Sequence, residues 1–252
     1  MRNSTLLLIA ALLVLLNACG NKEVKKPEKT LGLNTSIEGD STLYGLACDG
    51  CTDSFLVFLS GKGGDPVTYD IIEARKRQRI IGHPKVGDWV CLIVNGTNKN
   101  KADLVIDLDE LKGEWVYLEK PEKRQMINGG TAIKMDKEAK AEMDSLIEKL
   151  MKPVEIGFAL KRSYTTQPIG GQYSRNQNED SPVIFPVPKR YTEWHIFNGQ
   201  LVLTERRRNY NDKEASSEEK AKSDTVDILM MIKDSLRIRY KDGTIKGYHR
   251  KS

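Results

Sequence analysis

The stretch Trp194-His195-Ile196-Phe197-Asn198-Gly199-Gln200-Leu201-Val202-Leu203 has the pattern of a β-hairpin. Apolar residues alternate on both sides of Asn198-Gly199, a dipeptide that takes the positive φ values a tight two-residue turn needs. Alternation fixes which side chains share a face, so Trp194 and Ile196 point together on one strand and Leu201 and Leu203 on the next. A second turn of the same kind, Asp242-Gly243, separates Ser235–Tyr240 from Thr244–Arg250. With Arg190–Phe197, Gln200–Arg206 and Thr225–Ile232, these runs predict a series of antiparallel strands able to close on itself.

Towards the N-terminus the texture is the same. Val154–Leu160 and Lys161–Thr165 read as strands, whereas Thr166–Ser181 and Asn211–Ser223 are polar and without period and read as surface loops. The one helical pattern is Asp136–Met151, where Ala139, Met143, Leu146, Ile147 and Leu150 recur at three- and four-residue steps until Pro153 stops it. An acidic link, Asp107–Glu110, precedes Leu111-Lys112-Gly113-Glu114-Trp115, where a second unit opens. The first unit contains Thr42–Ala47, Ser54–Ser60, Val67–Ile72, Asp88–Val94 and Ala102–Leu108, separated by turns rich in Gly, Pro and Asp. The expected fold is all-β: two small antiparallel barrels, at 41–109 and 110–252, with one amphipathic helix inserted near 136–151.

The 252 residues are 39% hydrophobic and 30% charged with 9 Pro, an ordinary globular balance that excludes collagen-like and wholly disordered chains. At the start, Arg2 precedes Leu6–Leu16, an apolar run about half the length of a membrane span, and Leu16-Asn17-Ala18-Cys19 follows. This tetrapeptide resembles the lipobox of bacterial lipoproteins. The resemblance implies that residues 1–18 are removed, that Cys19 is acylated with palmitate-like chains, and that 19–40 is a tether. It also implies a lipid-anchored protein of the cell envelope, at the outer membrane because Gly20 rather than Asp follows the cysteine. Without residues 1–18 the chain carries 39 basic and 35 acidic side chains, a net charge of +4. That is too small and too dispersed to expect nucleic acid as a partner.

Two further resemblances concern the barrels. Pro84-Lys85-Val86-Gly87-Asp88-Trp89-Val90 is similar to the opening of a barrel strand in proteins of the oligonucleotide/oligosaccharide-binding fold. Gly113-x-Trp115, the stretch Trp194–Leu203, and Asp234-Ser235-Leu236 with Asp242-Gly243 and His249-Arg250 resemble the lipocalin-like domains of Bacteroidetes-type lipoproteins. That family implies an up-and-down barrel around an apolar cup, with Trp115 plugging the closed end rather than touching ligand.

Few residues carry motif-level chemistry. Cys48-x-x-Cys51 admits a redox pair, half a zinc site or a local disulfide, and a structural disulfide or reduced pair clipping a turn suits the Asp49-Gly50 between them best. Cys91 lies in an apolar strand and reads as a buried thiol. His83, His195 and His249 are isolated in sequence, and Gly61-Lys62-Gly63-Gly64 lacks the Lys-Ser/Thr of a phosphate loop. No cofactor or metal is expected. The inward stripe of Trp194, Ile196, Leu201, Leu203, Met230 and Ile232 is the candidate ligand site, and it would equally serve as a solid core. Arg206-Arg207-Arg208 would stand near the barrel rim. The expected function is non-catalytic binding of an apolar or amphipathic small molecule, or of an envelope partner. The alternatives are an interaction lipoprotein with solid barrels and an envelope hydrolase or thiol enzyme.

Overall fold

The computed structural model describes residues 37–124, 127–128, 131–132, 136–170, 181–205 and 221–251. Cys19 and Arg206-Arg207-Arg208 lie outside these residues. All of the described residues belong to one compact unit.

The protein is mostly β, as the alternation predicts. β1 (Thr42–Ala47), β2 (Phe55–Ser60) and β3 (Val67–Asp70) form an antiparallel meander. The strand expected to continue to Ile72 ends at Asp70, whose Oδ1 accepts the Ile72 N–H at 2.9 Å and turns the chain into a short helix, Ile72–Lys76. Next come β4 (Ile80–Ile81), β5 (Trp89–Val94) and β6 (Ala102–Asp107). β5 pairs antiparallel with both β1 and β6, and β4 lies parallel to β6. The six-stranded mixed sheet has the order β3-β2-β1-β5-β6-β4, and a parallel bridge from Asp70 to Lys101 returns the start of β6 to β3. Leu56, Phe58, Ile71, Val90, Leu92 and Val105 fill its interior.

A helical turn, Leu108–Leu111, joins this sheet to the next; its N-cap is Asp107, whose carboxylate accepts the N–H groups of Asp109 and Glu110. β7 (Gly113–Glu119) follows, then three short strands, β8 (Glu122–Lys123), β9 (Ile127–Asn128) and β10 (Thr131–Ala132). The helix expected at 136–151 runs Lys137–Leu150, capped by Asp136, and buries none of its residues. The remaining strands are β11 (Val154–Leu160), β12 (Thr166–Gly170), β13 (Val183–Ile184), β14 (Glu193–Phe197), β15 (Gln200–Glu205), β16 (Lys222–Ile232), β17 (Ser235–Arg239) and β18 (Ile245–Arg250).

Eight of these strands form one antiparallel sheet in the order β12-β11-β7-β18-β17-β16-β15-β14. The first strand, β7, pairs with the last, β18, and the two edges meet where Thr165 bridges Glu193 and Trp194 N donates to Tyr164 O at 2.9 Å. The result is a nearly closed eight-stranded barrel. One strand differs from expectation: Lys161–Thr165 is a turn with Tyr164 at φ 57°, and the pairing strand is Thr166–Gly170. Thr-Gln-Pro-Ile-Gly has no apolar alternation to announce it, and Pro168 is tolerated because β12 stands at the sheet edge.

Besides this interior of its own, the first sheet shares a second cluster with the barrel. Ile81, Cys91, Leu104 and Ile106 of the first sheet and Leu108 and Leu111 of the connecting turn pack in one cluster with Trp115, Trp194, Leu203 and Ile238 of the barrel. The Asn198-Gly199 turn is hydrogen-bonded to the chain entering β1: Asn198 N donates to Asp40 Oδ1 at 2.8 Å, and Ser41 N to Asn198 Oδ1 at 2.8 Å.

Candidate functional site

Strand parity sets the barrel interior. Cross-strand partners share a face, so the pairs Phe158–Trp115, Trp194–Leu203, Ile196–Leu201, Leu201–Val226 and Ile228–Ile238 place those side chains together. Trp115, Trp194, Leu201, Leu203, Val226 and Ile238 are fully buried. Four of the six predicted site residues, Trp194, Ile196, Leu201 and Leu203, are therefore brought together, as packed core. Met230 and Ile232 are not among them. A bulge between Ile228 and Met230 shifts the register of β16, so that Met231 turns inward at 2% exposure while Ile232 is 48% exposed.

Trp115, fully buried at the start of β7, is held from both sides. Trp115 Nε1 donates to Leu111 O at 2.8 Å, the Arg250 guanidinium lies 4.3 Å from the Trp115 ring centroid, and Arg250 donates to the carbonyls of Lys112 and Glu110 at 2.9 and 2.7 Å.

One end of the barrel holds a cup of about 250 Å³. Its wall is aromatic: Tyr117 from β7, Phe158 from β11, Tyr248 from β18, Tyr240 beyond β17, and Tyr191 from the loop before β14. These rings meet edge to face, with Tyr117–Tyr248 centroids 5.2 Å apart and Phe158–Tyr191 centroids 6.2 Å apart. Two ammonium groups cross the aromatic faces: Lys246 Nζ stands 4.3 Å from the Tyr117 ring centroid and 2.8 Å from its hydroxyl, and Lys189 Nζ stands 5.0 Å from the Tyr240 ring centroid.

The charges of the cup are unequal. Lys189 is paired with Asp224 at 2.7 Å, and Tyr191 donates to the same oxygen at 2.5 Å. Burial works against the Asp224 carboxylate, but these two donors outweigh it and hold its pKa below the usual value; the same pairing holds Lys189 above the ordinary lysine value despite its own desolvation. Lys246 has no carboxylate within ion-pair distance among the described residues. Burial raises the hydroxyl pKa values of Tyr117, Tyr191 and Tyr248, which remain neutral donors. The cup thus offers apolar ring faces, hydroxyl donors and the Lys246 ammonium, while Lys189 is held by Asp224 and the Asp242 carboxylate shares the lining.

Sequence reasoning missed all of these residues. Parity held a signal for Tyr117, two positions after Trp115, and for Lys246 and Tyr248, which alternate into the barrel on the last strand. Lys189 and Tyr191 come from an irregular loop, where no period operates.

The other candidates are dispersed. The disulfide candidate Cys48-x-x-Cys51 is a reduced pair in the structure, the other of the two structural readings: both thiols are free, and Cys51 Sγ donates to Cys48 O at 3.0 Å. Cys91 is free and buried, and burial raises its thiol pKa. His83 stands 3.5 Å from Glu110 and His249 3.3 Å from Glu155, while buried His195 Nδ1 has no hydrogen-bond partner and burial lowers the pKa of its ring. Among the described residues no group of three or more His, Cys, Asp or Glu is disposed to hold a metal ion, and no helix is long and apolar enough to cross a membrane. No protein-family model matches this chain, and no curated protein or solved structure matches it either.

Proposed function

We propose that this chain is a non-catalytic binding protein of the cell envelope, lipid-anchored at Cys19, and that it takes a small amphipathic molecule at the barrel mouth. The up-and-down strand order, first strand paired with last, supports the lipocalin-like reading of residues 110–252. The meander of β1–β3 with β6 returned to β3 supports the small-barrel reading of 41–109.

The observation that carries the reading is the cup itself. Its 250 Å³ lies just under the usual range for small-molecule sites of about 300–1,000 Å³, which argues for a small ligand. Five aromatic side chains favour a planar or apolar body, and Lys246, which makes no ion pair with a described residue, favours an anionic group on its side of the cup, away from the Asp242 carboxylate in the same lining. The ligand sits at the mouth rather than in the interior, because Trp194, Leu201 and Leu203 already fill the interior. The thiol-enzyme reading gains no support from Cys91, whose buried thiol stays protonated.

The test is fluorescence titration of the chain lacking residues 1–19 with anilinonaphthalenesulfonate, an aromatic anion, and with a fluorescent fatty acid. Saturable one-site binding, weakened about tenfold by Lys246→Gln, is expected from the loss of one charge-assisted contact. Absence of saturable binding by either probe sinks the cup in favour of an interaction lipoprotein with a solid barrel. For the anchor, Cys19→Ser in the full chain should abolish partition into detergent.

A further inference from the structure

Away from the cup, the segment Arg75-Lys76-Arg77-Gln78-Arg79 concentrates four cations in five residues. Two of them are used locally: Arg75 pairs with Asp53 at 3.3 Å and Lys76 with Glu73 at 2.9 Å. Arg77 and Arg79 instead line a cleft of about 410 Å³ that also receives Arg239 from β17. Its floor is apolar, with Ile81, Leu104 and Ile228, and its rim carries Gln78 and Gln200. Three guanidinium groups from separate parts of the fold thus converge where β4 and β6 of the first sheet meet β16 and β17 of the barrel.

Their engagement differs in a telling way. Arg79 Nε donates to Asp103 O at 3.0 Å, which fixes the guanidinium, and its charge reaches Asp227 without an ion pair. Arg239 gives Nε and Nη2 to Asp227 Oδ2 at 3.2 and 2.8 Å, and Gln200 Nε2 occupies the other oxygen of Asp227 at 2.7 Å. Asp227, the one acidic side chain lining the cleft, is thereby spent on holding Arg239. The Arg77 backbone N–H closes the short helix onto Glu73 O at 3.1 Å, and its guanidinium makes no hydrogen bond or ion pair with a described residue. Three cations against one carboxylate leave the cleft at +2. Between Arg77 and Arg79, Gln78 has φ 56°, a left-handed conformation that Gly would take without strain after a helix end. The chain accepts that strain with a side chain able to donate and accept, and places it in the cleft.

We infer that this cleft binds a phosphate-type oxyanion, held by the guanidinium groups of Arg77, Arg79 and Arg239. Planar guanidinium forks match the tetrahedral oxyanion with paired N–H donors, and all three positions carry Arg rather than Lys. The recessed position strengthens the attraction relative to an open surface. The group could come as a free phosphate or on a lipid headgroup; the chemistry recognised is the same. The cleft is separate from the cup, so this inference does not depend on the function proposed above.

The experiment is isothermal titration calorimetry of the full chain in a non-ionic detergent. One arm uses inorganic pyrophosphate, the other a short-chain, water-soluble phosphatidic acid. Saturable binding in either arm is expected, weakened about tenfold by Arg77→Gln and by Arg239→Gln. Binding in the pyrophosphate arm alone identifies a free phosphate as the source, and binding in the phosphatidic acid arm alone a headgroup. Arg75→Gln, which leaves the cleft lining intact, should not change affinity. Arg239→Gln breaks the Asp227 pair and can disturb folding, whereas Arg77→Gln removes no internal contact among the described residues and isolates the binding role. No saturable binding in either arm overturns the inference, as does binding indifferent to Arg77→Gln. Equal weakening by Arg75→Gln overturns it too, because it would show diffuse attraction to the basic run instead of a site.

Discussion

Leu203 shows how far a single position separates two functional pictures. Were the barrel hollow, Leu203→Gln would weaken ligand uptake; in the structure Leu203 is fully buried against Trp194, so the variant places an unmatched amide in a dry core. It should lose about 1–3 kcal/mol in urea denaturation, while dye affinity measured under folding conditions stays unchanged. Asp107 is a second residue with a readable consequence. It is 1% exposed, and burial pushes its carboxyl up to about 6, against the lowering effect of the N–H donors of Glu110 and Asp109 and with Asp88 and Glu110 adding to the rise. The folded state therefore holds this proton more tightly than the unfolded chain does. Its contribution to stability is fully present below the ordinary 3.8 and is lost as pH rises through about 6. The gap is worth roughly 3 kcal/mol at most. Asp107→Asn keeps an oxygen for both N–H donors, so its stability relative to the parent should rise across that window. Urea midpoints that run parallel for the two proteins would show that the carboxyl titrates normally.

Elements decide which face a residue occupies, and β16 is where this matters most. Strict alternation along Val226, Ile228, Met230 and Ile232 puts all four inside; the bulge after Ile228 inserts one residue, and Met231 takes the inner place opposite Leu236. Met231→Ala should therefore cost about 2–5 kcal/mol, as truncation of a buried side chain does, while Ile232→Ala should cost less than about 1 kcal/mol. Equal losses, measured as shifts in urea midpoint, would mean that β16 is not bulged. β12 teaches a related lesson. Thr166–Gly170 pairs along five residues of β11 although its sequence reads as loop, because backbone hydrogen bonding to a neighbour already in place does not require an apolar pattern.

For the whole molecule, the seam between the sheets governs stability. The Asn198-Gly199 turn rests on the first sheet: a Cβ at residue 199 would stand 2.4 Å from Leu104 Cδ2, and its φ of +74° favours glycine. Gly199→Ala should lower stability by about 1–3 kcal/mol. Because one core cluster is shared between the sheets, it should do so for a single transition seen alike by tryptophan emission and far-ultraviolet circular dichroism; two separated transitions would mean that the sheets unfold independently. Much of this architecture was legible in local pattern. Alternation around Asn198-Gly199 and Asp242-Gly243 specified antiparallel strands, three- and four-residue periodicity specified the helix at Lys137–Leu150, and Trp194, Ile196, Leu201 and Leu203 were correctly grouped on one face. Those features depend on neighbours a few residues apart, and a linear chain records them. The bulge in β16, the pairing of β12, the cup built by Tyr117, Lys246 and Tyr248 with loop-borne Lys189 and Tyr191, and the convergence of Arg77, Arg79 and Arg239 were not. Each depends on barrel closure or on the packing of one sheet against the other, which joins residues as far apart as 117 and 246, and no local period encodes such a contact.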